Sequence, residues 1–198
     1  MVSAPSDAPV RPVPVKIVIA GPFGVGKTTM VGATTQIEPL RTEETLTQAG
    51  TGVDDISGVR DKTTTTVAID FGRLDLSSPG PSHPGAILYL FGAPGQDRYR
   101  TLWDEITYGA LGILVLADTR RLNASFEVLD WVETRGLPYS VALNLFDDSP
   151  DHSVTEVRTA LDLDASTPLT VCDARDSASA RHALIALVEH IQNRVLTS

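Results

Sequence analysis

Short apolar runs alternate along the chain with longer segments in which apolar residues recur every three or four positions. This alternation is typical of βαβ units, because buried parallel strands are continuously apolar and each helix between them needs one apolar face. The pattern predicts strands at 15–20, 66–71, 86–91, 111–117, 141–145 and 169–172. Five helices separate or follow them, in the order β-α-β-β-α-β-α-β-α-β-α.

Local sequence features support the helices. Ser153 and Glu156 form a capping box, and a segment over 122–135 stops at Gly136. The strand at 66–71 alternates strictly, as an edge strand does, whereas 86–91 is almost continuously apolar and 111–117 and 141–145 are expected to be buried. We therefore expect an α/β fold, doubly wound in three layers, with a six-stranded, mostly parallel sheet that has one antiparallel edge strand.

Composition limits the possible functions. The chain has 198 residues, 25 acidic against 16 basic, and a formal net charge of −9. Such acidity disfavours binding to nucleic acid. Without an 18-residue apolar stretch or a signal-peptide pattern, we expect a cytoplasmic protein with no direct membrane anchor, recruited to a membrane only through partners. Residues 1–14 are predicted to be a disordered Pro-rich tail before one domain over 15–198.

A glycine-rich segment at 21–28 follows the first predicted strand and precedes a helix, and it fits the pattern G-x-x-x-x-G-K-[ST]. Its amides and the helix N-terminus would form an anion cradle, with Lys27 reaching the β- and γ-phosphates and Thr28 binding Mg²⁺. The nucleotide-binding residues predicted here are Gly24, Val25, Gly26, Lys27, Thr28 and Thr29. The alternative is a glycine-rich turn with a chance Lys-Thr pair. ATPases, kinases and GTPases share this loop, so it does not name the base.

Two later strands end in Asn144-Leu145-Phe146-Asp147 and in Asp173-Ala174-Arg175. With these motifs the chain resembles the Ras-like small GTPases over residues 15–195, and the resemblance implies a P-loop GTPase fold that binds GTP and GDP. It implies that Asp147 pairs with the guanine edge and that the Ala174 amide contacts the guanine carbonyl oxygen, with Asn144, Asp173 and Arg175 alongside. Taken singly, Asn-x-x-Asp is more typical of a turn. Leu145 replaces the family's Lys, which predicts weaker nucleotide binding with base selectivity retained.

The polar stretch at 39–62 is too long for an ordinary connection, and a run of four threonines follows it. Its resemblance to the family's Thr-Ile-Gly-Val-Asp-Phe implies that Thr66 closes over the γ-phosphate and Mg²⁺. Thr65 is the alternative register. The simpler interpretation is a β-prone threonine run that faces solvent.

After the third predicted strand, Gly95 and Gln96 match the family's γ-phosphate sensor and water-positioning residue. Gly92 stands where the family has an aspartate that supports Mg²⁺ through water, a loss that lowers metal affinity about 10- to 100-fold. Pro94-Gly95-Gln96 without that aspartate is similar to the small GTPases of the bacterial gliding-motility type and the actinobacterial conservon type. That similarity implies a Roadblock-type partner in a signalling system.

Phosphoryl transfer also needs positive charge in the transition state, and Arg60 is the predicted catalytic arginine, with Arg98 and Arg100 as alternatives. Together with Gln96 and Lys27 it would make a weak GTP hydrolase that switches its partners, served by activating and exchange factors. The alternative is a nucleotide-dependent scaffold with negligible hydrolysis. A P-loop kinase or ATPase would leave Asn144 and Asp147 without a role.

Trp103 and Ile106 lie among charged residues after Gln96, near Tyr99 and Tyr108. They are expected either to pack beneath a helix or to form an aromatic partner surface.

Overall fold

The computed structural model describes residues 11–47, 64–76, 85–95 and 100–197, and at 41–47, 64–68, 100 and 197 it describes the backbone alone. The strands are β1 (Val13–Ala20), β2 (Leu40–Thr47), β3 (Thr64–Asp75), β4 (Ala86–Gly92), β5 (Gly112–Ala117), β6 (Tyr139–Asn144) and β7 (Leu169–Cys172). The α-helices are α1 (Lys27–Thr34), α2 (Arg100–Thr107), α3 (Phe126–Thr134), α4 (Val154–Ala160) and α5 (Ser177–Thr197).

The strands form one sheet in the order β2-β3-β4-β1-β5-β6-β7. Strand β3 runs antiparallel to both of its neighbours, and the other described pairs, from β4 through β1, β5 and β6 to β7, are parallel. The chain therefore reverses direction twice, between β2 and β3 and between β3 and β4, and the carboxyl ends of β1, β5, β6 and β7 meet along one edge of the sheet. The predicted fold class, a doubly wound α/β fold with a mostly parallel sheet, is confirmed.

The count of six strands needs correction, because the sheet has seven. Residues 40–47, expected to belong to a polar connection, form β2, and β3 extends over twelve residues instead of the six predicted. Strand β2 pairs with 64–71 and β4 pairs with 70–75, so the antiparallel strand lies second from the edge. An edge strand can be polar because the ladder to its neighbour satisfies its backbone, and threonine suits extended conformations.

The boundary of the predicted N-terminal tail also shifts. Val13 and Pro14 belong to β1 and lie opposite Ala86 and Ile87 of β4, so the strand begins two residues before the predicted start. Proline is tolerated here because it stands near the beginning of the strand. Residues 1–10 lie outside the described residues, so the prediction of a disordered tail stays a prediction.

Two apolar layers hold the helices on the two faces of the sheet. Strand β5 is buried along its whole length, with Ile113, Val115 and Ala117 in one layer and Leu114 and Leu116 in the other. The first layer packs against α2, α3 and α4, and the second packs against α1 and α5. Continuous burial on both faces explains why this strand is apolar at every position.

The capping box is confirmed: the Ser153 hydroxyl accepts from the Glu156 amide, and the Glu156 carboxylate accepts from the Ser153 amide at 2.8 Å. The helix predicted over 122–135 divides into a 3-10 segment, Thr119–Ser125, and α3. Asp118 begins this segment by accepting from the Arg120 amide. Among the described helices, none is long and apolar enough to span a membrane.

The only cysteine, Cys172, ends β7 and is 1% exposed. Burial, together with the neighbouring Asp173 carboxylate, raises the pKa of its thiol to about 12. At pH 8 the native thiolate is then roughly a thousandfold scarcer than for an ordinary thiol of pKa about 9.

We predict that iodoacetamide at pH 8 alkylates native Cys172 at least about a hundredfold more slowly than it alkylates the protein unfolded in guanidinium chloride, because the thiol is buried and its thiolate is disfavoured. Mass spectrometry of the alkylated protein over time measures both rates. Equal rates for the two states at pH 8 would contradict the buried placement of this thiol.

Candidate functional site

The glycine-rich segment between β1 and α1, 21–28, is the P-loop of this fold, and its glycines are required by geometry. Gly21, Gly24 and Gly26 have φ values of 142°, 75° and 106°, a range that side chains rarely adopt. A Cβ on Gly21 would lie 2.5 Å from the Leu116 carbonyl oxygen, and one on Gly26 would lie 2.5 Å from Asn144 Nδ2. Gly26 also precedes α1 without a side-chain cap, and no acidic residue lies in the first turn, so the helix N-terminus can attract an anion.

Lys27 lies folded against its own loop. Its Nζ donates to the carbonyl oxygens of Gly21 at 2.7 Å and Pro22 at 2.8 Å. Burial lowers the pKa of Lys27 to about 8, although attraction to Asp70 opposes that shift. Gly95 closes over the same group, because a Cβ there would lie 2.5 Å from Lys27 Nζ. The structure therefore brings the predicted phosphate lysine and the predicted γ-phosphate sensor together.

Thr28, the predicted Mg²⁺ ligand, contacts a carboxylate. Its Oγ1 donates to Asp70 Oδ2 at 2.5 Å, and Asp70 on β3 is 9% exposed. A hydroxyl and a carboxylate that meet beside the P-loop are the hard oxygen donors that Mg²⁺ prefers. The described residues therefore fit the cation that the resemblance implies.

Three predicted residues have roles that the described structure leaves open. The backbone of Thr66 lies within β3 opposite Thr45, about 13 Å along the strand from Asp70 at the usual rise per residue. Its side chain lies outside the described part of the chain, as do Gln96 and Arg60 entirely. Their roles, and Arg98 as an alternative, stay predictions.

Asn144, buried at the end of β6, joins two loops. Its Nδ2 donates to the Val25 carbonyl at 2.9 Å, and its Oδ1 accepts from the Ala174 amide at 2.8 Å. The side chain thus ties the P-loop to the loop after β7, and both of its polar atoms are satisfied. Sequence reasoning placed Asn144, Val25 and Ala174 in one site, and the structure brings them together.

The Ala174 amide, expected to contact a base, therefore has a partner within the protein. Asp147 accepts from Arg175 Nη1 at 3.1 Å, and Arg175 Nη2 also donates to Asp173 Oδ2 at 2.9 Å. Asp147 is largely exposed at the mouth of the site. The three side chains form a connected acidic and basic cluster, and Arg175 engages one oxygen of the carboxylate that was expected to select guanine.

Sequence reasoning missed a second charged group, at the end of β5. The buried carboxylate of Asp118 pairs with Arg120, whose guanidinium carbon lies 3.6 Å from the centre of the Phe146 ring and whose Nη1 also bonds Asp148. Opposite charge and hydrogen bonds from Arg120 lower the pKa of Asp118 despite its desolvation. The rule that sites lie at the carboxyl ends of parallel strands would have indicated Asp118.

The neighbouring Arg121 contacts the P-loop directly. Its Nη2 donates to the Phe23 carbonyl oxygen at 3.2 Å and lies 3.6 Å from Asp118 Oδ2. Leu145, which stands where the Ras-like small GTPases have a lysine, is half-exposed and brings no charge to the site. A cation therefore reaches the P-loop backbone from the loop after β5.

Helix α2 is hydrogen-bonded to the segment that ends at Gly95, the predicted γ-phosphate sensor. Trp103 and Ile106 are buried, which bears out their packing role, whereas Tyr108 is exposed and Tyr99 lies outside the described residues. Trp103 Nε1 donates to the Pro94 carbonyl oxygen at 2.7 Å, one residue before Gly95. This hydrogen bond joins α2 to the segment that ends at Gly95.

Solved structures with the same architecture include the cytosolic domain of the T. maritima FeoB iron transporter. Its GMPPNP form has a TM-score of 0.62 and 18% identity, covering 90% of this chain and 64% of that one. Its GDP form I has a TM-score of 0.62 and 17% identity, covering 93% and 65%. The chain thus spans just under two thirds of the length of these structures, and the likeness establishes that they share its doubly wound α/β fold.

A search among curated proteins gives no match. A family model described as "conserved hypothetical ATP binding protein" matches residues 19–194, from the end of β1 through most of α5. The match includes the P-loop, Asn144 and the loop after β7. The chain therefore belongs to the conserved hypothetical ATP binding protein family.

Proposed function

We propose that this protein is a guanine-nucleotide switch that binds GTP and GDP, slowly hydrolyses GTP, and alters its partner binding accordingly. The observation that carries the proposal is the Asn144 bridge, which draws together the P-loop and the loop after β7. In doubly wound sheets, ligands lie outside the carboxyl ends of the strands, where these loops meet. A phosphate cradle beside an exposed carboxylate, Asp147, is suited to a nucleotide whose base carries adjacent donors.

The proposed base, guanine, differs from the adenine that the description of the matched family implies. Guanine presents a ring N–H and an amino group side by side, and a carboxylate such as Asp147 can accept from both. Adenine offers no such pair, so it would leave that carboxylate without its partners. The neighbouring FeoB structures are described in GMPPNP and GDP forms, which favours guanine.

We expect GDP to bind at least about a hundredfold more tightly than ADP, because two hydrogen bonds to a carboxylate contribute about 1.5–3 kcal/mol each. The measurement is isothermal titration of nucleotide-free protein with each nucleotide in Mg²⁺. Asp147→Asn removes the charge and should lose most of this preference. Asp151→Asn, an exposed carboxylate in the same loop, is the matched control. Equal affinity for GDP and ADP in the unmodified protein would favour the ATP-binding alternative.

Hydrolysis would use residues on the γ-phosphate side. Lys27 would leave the carbonyls of Gly21 and Pro22 and neutralise the phosphates, while Gln96 orients water and Arg60 adds positive charge. Bound Mg²⁺, held by Thr28 and Thr66, would supply further charge neutralisation. The nucleotide itself replaces the two carbonyl acceptors that hold the buried Lys27 ammonium.

Partner switching would act through α2. The bond from Trp103 to the Pro94 carbonyl links this helix to Gly95, the proposed γ-phosphate sensor. We infer a Roadblock-type partner and activating and exchange factors from the resemblance to gliding-motility and conservon GTPases. The protein would work in a signalling system in the cytoplasm and reach membranes through such partners.

A nucleotide-dependent scaffold with negligible hydrolysis is the second candidate, because Gly92 and Leu145 both depart from the pattern of the Ras-like small GTPases. Phosphate release from bound GTP over several hours separates the two hypotheses. If the protein is a switch, each bound GTP releases one phosphate, and Gln96→Ala slows that release. If it is a scaffold, GTP stays intact, and Gln96→Ala does not change the amount of phosphate released.

The Asn144 bridge gives a further prediction. Asn144→Ala leaves the buried Val25 carbonyl and Ala174 amide without partners, at a cost of about 1–3 kcal/mol each. We expect the free energy of unfolding in urea to fall by at least about 2 kcal/mol and GDP affinity to fall with it. Asn123→Ala, at an exposed asparagine in the 3-10 segment, should change neither quantity.

A further inference from the structure

The sequence lacks a carboxylate at position 92, where the resemblance expects one, yet the structure has one on the residue directly opposite, Asp70. Gly92 on β4 lies directly opposite Asp70 on β3 in the antiparallel register. Side chains of such directly opposite residues lie on the same face of the sheet, about 5 Å apart. A carboxylate on either strand can therefore point towards the P-loop.

Asp70 occupies that face and reaches the P-loop hydroxyl. Its Oδ2 accepts from Thr28 Oγ1 at 2.5 Å, and its charge acts on buried Lys27. The two positions are also sterically coupled. A Cβ on Gly92 would lie 3.2 Å from both Cβ and Oδ2 of Asp70, closer than ordinary contact. Glycine at 92 thus makes room for the carboxylate that comes from 70.

A nearly buried carboxylate beside a phosphate cradle repels the ligand that the cradle attracts. Desolvation strengthens this repulsion, since charges in a low-dielectric site are poorly screened. A divalent cation between the carboxylate and the phosphates reverses the sign of the interaction. The position of Asp70 therefore makes sense as part of a site for nucleotide together with a cation.

We propose that Asp70 is the positioning residue for Mg²⁺ in this protein, acting from β3 through Thr28 in place of the carboxylate that position 92 lacks. The inference rests on the proposed nucleotide-binding function and deepens it. It replaces the expectation that Gly92 leaves Mg²⁺ without carboxylate support. Asp70 and Gly92 together, rather than either residue alone, then determine how nucleotide binding depends on Mg²⁺.

The test is release of N-methylanthraniloyl-GDP, followed by fluorescence, from full-length protein across a Mg²⁺ titration and in excess EDTA. Asp70→Asn keeps the size of the side chain and an acceptor for Thr28, but removes the charge. We expect the Mg²⁺ concentration that half-slows release to rise about 10- to 100-fold. In EDTA the variant should release nucleotide no faster than the unmodified protein, because the repulsive charge is gone.

Asp75→Asn is the matched control, since Asp75 lies on the same strand, faces Ile87, and pairs with Arg73. It should keep the Mg²⁺ dependence of the unmodified protein. A purely structural role for Asp70 would instead speed release both with and without Mg²⁺, and that result would overturn the proposal. An unchanged Mg²⁺ titration would overturn it as well.

A double variant, Asp70→Ser with Gly92→Asp, moves the carboxylate from β3 to the directly opposite position on β4. We expect it to restore much of the Mg²⁺ dependence, and failure to do so would refute the equivalence of the two positions. If the unmodified protein binds no GDP in Mg²⁺, the proposed function fails and the inference fails with it. If it binds GDP and Asp70→Asn behaves like Asp75→Asn, the inference fails alone.

Discussion

The site depends above all on the close approach of the Asn144 side chain to the P-loop. A single amide satisfies a carbonyl on one loop and an amide on another, and Gly26 is the residue that lets it come so near. Without that contact the phosphate cradle and the loop after β7 would lose the hydrogen bonds that join them directly. The apolar layers around β5 hold the strands in place. The hydrogen bonds of Asn144 then set the distance between the P-loop and the loop after β7.

Much of this arrangement follows from sequence. Apolar runs located β1, β4, β5, β6 and β7, because strands buried in a parallel sheet are mostly apolar, and strict alternation located the middle of β3. The G-x-x-x-x-G-K-T pattern located the cradle because only glycine tolerates the backbone there. Asn144 and Ala174 were brought together correctly because parallel strands end at the same edge.

Other features were inaccessible to such reasoning. Strand β2 is polar and held by its ladder to β3, so no hydrophobic period marks it. The contact between Asp70 and Thr28 depends on the register between β3 and β4, which single-strand patterns do not specify. No sequence motif marks Arg120 and Arg121, which pair with the buried Asp118 carboxylate. Arg120 lies over the Phe146 ring, and Arg121 donates to the Phe23 carbonyl oxygen.

The length of β3 has a mechanical consequence. Residues 64–69 pair only with β2, residues 72–75 pair only with β4, and Asp70 and Phe71 pair with both. Asp70 therefore lies where the two ladders overlap, and Thr66 lies in the segment that pairs with β2 alone. If Thr66 moves towards bound phosphates, that segment has to bend or separate from β2, and the hydrogen bonds to β2 oppose the movement. The stability of the ladder between β2 and β3 would then limit how readily residues 64–69 can change position.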